Sequence, residues 1–143
     1  MDNAINKEYD TDTKHIVSVS AVILNRDRNI LLIKGPIRGW ELPGGKMKTN
    51  EKIENALKRE VREETRVEIC NVQYHGLFHN IKEDTINLLF LAEYSSGELL
   101  TSEESLEIGF FSLKEASRLV TWSNFFKRIE SVLYGNIPFM EEF

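Results

Sequence analysis

Glu60, Glu63 and Glu64 are the side chains whose types and spacing most directly suggest chemistry. They stand at i, i+3 and i+4 in a segment, Lys52 to Thr65, whose apolar residues recur with helical period. Ile53, Ala56 and Leu57 define a core-facing line, and at about 100° per residue that line continues to positions 60, 63 and 64. Three carboxylates therefore stand where the pattern predicts leucine. The opposite face, with Lys52, Lys58, Arg59 and Arg62, reads as ordinary solvated surface. Like charges at this spacing repel one another, and desolvating them adds to the cost. A hard cation such as Mg²⁺ reverses the balance, because it prefers carboxylate oxygens and completes its shell with phosphate oxygens. A solvated acidic patch is the plainer alternative, and on the helix alone the two readings stand level.

The elements that must position these acids follow from the rest of the pattern. His15 to Leu24 is rich in valine and isoleucine and reads as a strand; Asn25 to Asn29 is a turn, and Ile30 to Lys34 pairs back as a hairpin. A loop at Gly35 to Gly39 leads to Trp40-Glu41-Leu42 and then Pro43-Gly44-Gly45. After the acidic helix, Val67 to Leu77 and Thr85 to Tyr94 read as strands, the second with a buried centre at Leu88 to Leu91. Ser95 to Gly97 breaks the chain, and Glu103 to Glu107 is an acidic loop. The last third is helical. Trp122, Phe125, Phe126, Ile129, Val132 and Leu133 share one broad apolar face, with Thr121 as N-cap and Gly135 as stop. That face packs on the domain's own sheet more readily than it serves a partner. Strands interspersed with two substantial helices predict an α/β sandwich around a mixed sheet.

Composition narrows the function classes. With 41% hydrophobic and 29% charged residues, the 143-residue chain is globular and long enough to bury a core. One domain over 15–143 is expected, after a polar lead-in at 1–14 that lacks the apolar centre of a signal peptide. The net charge of −5 argues against general nucleic-acid binding, which needs a basic face. Cys70 is the only cysteine, so an intrachain disulfide and a cysteine metal cluster are both excluded. The longest apolar run, Leu88 to Ala92, is too short for a membrane span. A cytoplasmic protein, monomeric or homodimeric, is the default expectation.

Gly45, five residues, Glu51, seven residues, then Arg59-Glu60-Val61-Arg62-Glu63-Glu64-Thr65 resembles the Nudix box of the Nudix hydrolases. The likeness extends upstream through Trp40 to Lys46, and downstream to an acidic-then-aromatic spacing at Glu104, Glu107, Phe110 and Phe111. Arg66 departs from it, standing where the family has the glycine that ends the helix. Lys52 occupies a position where Ser or Thr often caps, which leaves Asn50 as the expected cap.

The resemblance implies a Nudix-type α/β/α sandwich and a hydrolase that cleaves a phosphoanhydride bond with Mg²⁺, or Mn²⁺, as cofactor. The substrate it implies is a nucleoside diphosphate derivative, with a nucleoside triphosphate or similarly small nucleotide expected for so compact a chain. By the same resemblance Glu60, Glu63 and Glu64 bind the metal and the Gly45 carbonyl adds an oxygen. Arg59 orients the acids through a salt bridge to Glu51, and either a box glutamate or Glu104 serves as general base. A Nudix-fold module that binds a nucleotide without cleaving it is the rival reading. Lys34, Arg38 and Lys46 lie in a locally basic stretch that could receive phosphates, and Trp40 could stack a base. For each the plainer alternative is a solvated cation or a core tryptophan. His15, His75 and His79 have no metal-ligand spacing.

Overall fold

The computed structural model describes residues 14–122 and 124–143, so the lead-in expected at 1–14 lies outside the described residues except for Lys14. Eight strands form one mixed sheet: β1 (Ile16–Leu24), β2 (Ile30–Gly35), β3 (Gly39–Glu41), β4 (Gly44–Lys46), β5 (Glu68–Asn80), β6 (Thr85–Ser96), β7 (Glu107–Phe111) and β8 (Phe139–Glu142). Among the described residues three helices cover it: α1 (Ile53–Thr65), α2 (Leu113–Leu119) and α3 (Phe125–Tyr134). The strand order is β3-β2-β1-β6-β5-β8, with β4 also on β1 and β7 also on β2. β1 runs parallel to β6, and β5 parallel to β8; the other pairs are antiparallel.

Strand alternation divides the core between the two faces. On one face Val19, Ala21, Ile23 and Leu31 meet Ala56, Leu57 and Val61 of α1. On the other, Val22, Leu24, Ile30 and Leu32 meet Ala116 of α2 and Ile129 and Val132 of α3. Helices thus lie on both faces, as the expected sandwich requires. Leu57 and Val61 are wholly buried, and truncating a leucine in such a place costs about 2–5 kcal/mol.

Several boundaries differ from expectation for local reasons. The hairpin strands β5 and β6 run to Asn80 and Ser96, because their ladder continues to Asn80–Thr85 at one end and Glu68–Ser96 at the other. The glycines of the Pro-Gly-Gly segment are themselves part of a strand, β4, which pairs with Ser18 to Ser20. Glu107, assigned to a loop, opens β7, and β8 was not expected. The terminal helix starts at Phe125 with Asn124, not Thr121, at the N-cap; Trp122 precedes it, half exposed. Gly135 closes that helix as expected. Helix α2 is set by a capping box, in which Ser112 Oγ accepts from the Glu115 amide and the Glu115 carboxylate accepts from the Ser112 amide.

Candidate active site

Helix α1 presents its acids less symmetrically than the sequence pattern predicts. Ile53, assigned to the core line, is exposed, and the buried line is Ala56, Leu57, Val61, Glu64 and Thr65. Its axis of burial is therefore rotated towards Val61. That rotation buries Glu64, half-buries Glu60, and leaves Glu63 with 51% of its side chain exposed. No side chain caps the helix at Lys52, and Asn50, expected to cap, adopts a left-handed turn conformation instead. Arg66 occupies the left-handed position after the last turn, φ 65° and ψ 14°, with its amide donating to the Arg62 carbonyl. The chain keeps the exit geometry that glycine favours with a side chain that finds it strained.

Arg59, which the helix pattern puts on the solvated face and the family resemblance pairs with Glu51, makes that pair and is the hub of an ion network. Its Nε donates to Glu51 Oε2 at 2.6 Å, Nη2 to Glu51 Oε1 at 3.0 Å and to the Lys46 carbonyl at 3.1 Å. Nη1 donates to Glu60 at 2.8 Å and to Glu63 at 3.2 Å. The guanidinium holds the Glu51 carboxyl down at about 2, with help from the Lys48 amide, and its own pKa rises in return. One side chain thus ties α1 to the loop before it and screens the repulsion between Glu60 and Glu63.

Glu64 has different partners. It is 7% exposed, its Oε1 accepts from the Gly44 amide at 2.8 Å, and among the described residues it forms no ion pair. Burial drives its pKa up to about 8 against the pull of the Gly44 bond, and Glu60, Glu41 and Glu104 push it further the same way. Burial likewise raises Glu60, with Arg59 opposing and Glu63 and Glu104 reinforcing. Gly45 packs against the acids so closely that a Cβ there would stand 2.5 Å from the Glu60 carboxyl carbon. Glu104 is held by a tight serine turn: its amide donates to Ser102 Oγ, and the amides of Ser102 and Ser105 bond across to each other's carbonyls.

These residues share a divided cleft. A recess of about 390 Å³ is lined by Glu41, Gly44, Gly45, Glu60, Glu64 and Glu104 among others. A larger one of about 540 Å³ shares Arg38, Glu41, Gly44, Gly45 and Lys46 with it and continues past Asn87, Phe125 and Arg128. Among the described residues no three His, Cys, Asp or Glu side chains converge as a ready-made metal group, because Glu60 and Glu63 are turned to Arg59 and Glu64 to Gly44. The donor set nevertheless fits a hard divalent cation: several carboxylates, one of them buried without a cation, beside a backbone that only glycine can bring so close.

The Nudix domain model matches residues 14–129 of the sequence. The chain belongs to the Nudix hydrolase family. A MutT-like protein of Streptomyces ambofaciens is 34% identical over 104 residues, which cover 72% of this chain and 68% of that protein. The Nudix hydrolase YvcI of Bacillus subtilis is 27% identical over 143 aligned positions, 90% of each chain. An ADP-ribose pyrophosphatase of Methanocaldococcus jannaschii is 31% identical over 121, covering 79% of this chain and 71% of the relative. Among solved structures, a Nudix hydrolase from Nitrosomonas europaea superposes with a TM-score of 0.79 at 22% identity, covering 92% of this chain and 80% of the other. The enzyme is a Nudix hydrolase of the kind that acts on nucleotide diphosphates.

Within this Nudix hydrolase the sequence-nominated residues divide. Gly45, Glu60, Glu64, Glu104, Arg38 and Lys46 line the cleft, and Arg59 stands behind Glu60. Glu63 is outside the lining, turned to Arg59 and solvent. Arg38 is engaged with Glu41 through two hydrogen bonds, at 2.8 and 3.2 Å, where it lines both recesses. Lys34 lies outside the cleft, paired with Glu107 at 3.1 Å. Trp40 packs edge-on against Phe111 in the second core, 5.0 Å between ring centroids, and is a core tryptophan. His75 is buried against the Val132 carbonyl, and His79 bonds Glu142 away from the cleft.

Sequence reasoning missed Glu41, Asn87 and Arg128. Asn87 donates to Ser18 Oγ at 2.6 Å and pairs with the Ser20 hydroxyl at 3.0 Å. Two serines alternating with valines in β1 were the available signal of a polar wall inside an apolar strand.

Proposed function

We propose that this Nudix hydrolase cleaves the phosphoanhydride bond of a small nucleoside diphosphate derivative with Mg²⁺, or Mn²⁺, as cofactor. The observation that carries the reading is Glu64: a carboxylate buried among Glu41, Glu60 and Glu104 with no cation of its own among the described residues, in the smaller recess and hydrogen-bonded to Gly44, which lines both. Glu60 and Glu64, with Glu63 from the exposed flank and the Gly45 carbonyl, are the residues that would hold the metal. When bound there, a divalent cation neutralises the diphosphate and favours attack of water at phosphorus.

The chain's own groups do the rest. Arg59 orients Glu60 and Glu63 and fixes α1 to the Lys46 and Glu51 segment. The Gly44 amide holds Glu64 in place. Glu104, presented by the serine turn, is the general base: it takes a proton from water as the new P–O bond forms, while the anhydride P–O bond breaks and the leaving phosphate keeps the electron pair. The larger recess, lined by aromatic, amide and cationic side chains, receives the part of the substrate that extends beyond the acids.

A product-resolved screen of nucleoside triphosphates, ADP-ribose and nucleotide sugars, with Mg²⁺ and with chelator, tests this reading. Metal-dependent release of two phosphorylated products from at least one of them is expected. Binding without turnover across the whole panel would return the chain to a nucleotide-recognition role.

A further inference from the structure

Arg128 lies on α3 one turn after Phe125 and lines the larger recess. Its guanidinium carbon is 4.9 Å from the Phe125 ring centroid and 5.1 Å from that of Phe78, within cation–π range. The rings attract the charge, but neither offers its N–H groups a lone pair in the hydrogen-bonding sense. Among the described residues its Nε is buried without an acceptor and no carboxylate pairs with it. Arg38, Arg59 and Arg62 each fork onto a glutamate; Arg128 does not.

Packing alone does not account for this arrangement. A methionine would fill the space between the two phenylalanines without desolvating a charge, and a partly desolvated cation with no carboxylate partner is costly. Desolvation indeed depresses the basicity of Arg128, with only Glu41 opposing through space and Arg38 adding to the depression. Glu41 lines both recesses and also acts on Glu64, so Arg128 stands at the same cleft as the acids, in the part that Glu60, Glu64 and Glu104 do not line.

We propose that Arg128 is a specificity-determining residue that grips a phosphoryl oxyanion of the substrate, opposite the glutamates of α1. A guanidinium presents parallel donors that match two phosphate oxygens, and an anion supplies both the charge and the acceptors that Arg128 lacks. A neutral base edge would supply acceptors only. The proposal rests on reading the cleft as the diphosphate site, and its test does not depend on turnover.

The test uses the full-length protein, R128M and R128K, in chelator, with inorganic pyrophosphate as the probe and thermal melting as the readout. Pyrophosphate at millimolar concentration raises the wild-type midpoint; R128M shows no rise and R128K an intermediate one. Without pyrophosphate R128M melts at or above wild type, because a desolvated charge has been removed. Against a substrate from the screen, R128M raises KM about 10- to 100-fold, the range for losing a charge-assisted hydrogen bond, while kcat changes little. If R128M fails to fold, R128K alone decides, since it keeps the charge and stem but loses the fork. A full pyrophosphate shift in R128M, or in R128K alone a shift and KM equal to wild type, overturns the proposal and leaves Arg128 a packing residue. An absence of turnover on every substrate would refute the proposed function while the pyrophosphate melts still decide on Arg128.

Discussion

Replacing Glu64 by glutamine separates the cost of a buried charge from the use of that charge. The amide keeps the oxygen that accepts from Gly44 at 2.8 Å and keeps the volume of the side chain. In metal-free wild type the folded-state pKa of about 8 lies above the ordinary 4.5, so the folded protein retains a proton that the unfolded chain releases. The stability attached to that proton is complete below pH 4.5 and is lost as pH rises to about 8. At about 1.4 kcal/mol per pH unit, raising the pH from 5 to 7.5 removes about 3 kcal/mol from wild type and nothing comparable from the variant. For a chain of this size that corresponds to a relative shift of about 10 °C in melting midpoint. Melts in chelator at half-unit pH steps should therefore show Glu64→Gln overtaking wild type towards neutral pH. Added Mg²⁺ should reverse the order at neutral pH, since saturation at a hundred times the Kd adds about 2.7 kcal/mol to whichever protein binds it. Turnover of the variant should fall at least about a hundredfold, as expected when a charge-stabilising group is lost. Parallel melting curves across the pH range with equal Mg²⁺ shifts would refute the reasoning, because Glu64 would then be neither desolvated nor a ligand.

Gly45→Ala should cut turnover about a hundredfold with little loss of stability, because the added methyl displaces Glu60 by ångström distances and small misplacements at a reacting centre are that costly. Steady-state kinetics beside a melt checks it. Arg66→Gly should leave turnover unchanged and raise stability by about 0.5–1 kcal/mol, since the left-handed conformation at φ 65° suits glycine; denaturant titration reads the difference. Chelator should abolish hydrolysis of any confirmed substrate, and Mn²⁺ as well as Mg²⁺ should restore it, as followed by product release. Ser112→Ala should cost about 1 kcal/mol through loss of the α2 capping box, with KM unaffected.

The sequence made visible what depends on local period and composition. The acidic helix, the glycine turn before it and the four long strands were all legible because side-chain repeats of 3.6 and 2.0 report which face is buried. The tilt of α1 about its own axis was not legible: Ile53 and Val61 are equally apolar, and only the neighbouring strands decide which is buried. Helical spacing put Glu60 and Glu64 in one arc with Glu63 on its flank, and for the same reason could not tell that Glu64 is buried while Glu60 is half-buried against Arg59. The Ser112–Glu115 box did signal α2 in the sequence and was passed over within a longer helical stretch. Arg128 carried no signal. Its meaning depends on Phe78, which comes from a distant strand, and on its having no carboxylate partner among the described residues.

The central position of β1 also governs the order in which the site can be built. Ser18 and Asn87, bonded across the polar wall of the cleft, are 69 residues apart in the chain. The parallel ladder between β1 and β6 runs from Ile16–Thr85 to Leu24–Glu93, while the hairpin contact of β1 with β2 is confined to Leu24–Ile30. A nascent chain therefore carries β1 with one edge unpaired until β6 has been made, and with the face that α2 and α3 cover open until those helices follow. Pairings of such sequence separation are slow to close and expose strand edges meanwhile. Destabilising changes in the β5–β6 hairpin should thus reduce the yield of soluble enzyme more than changes of equal equilibrium cost in α3, which follows β6 in the chain.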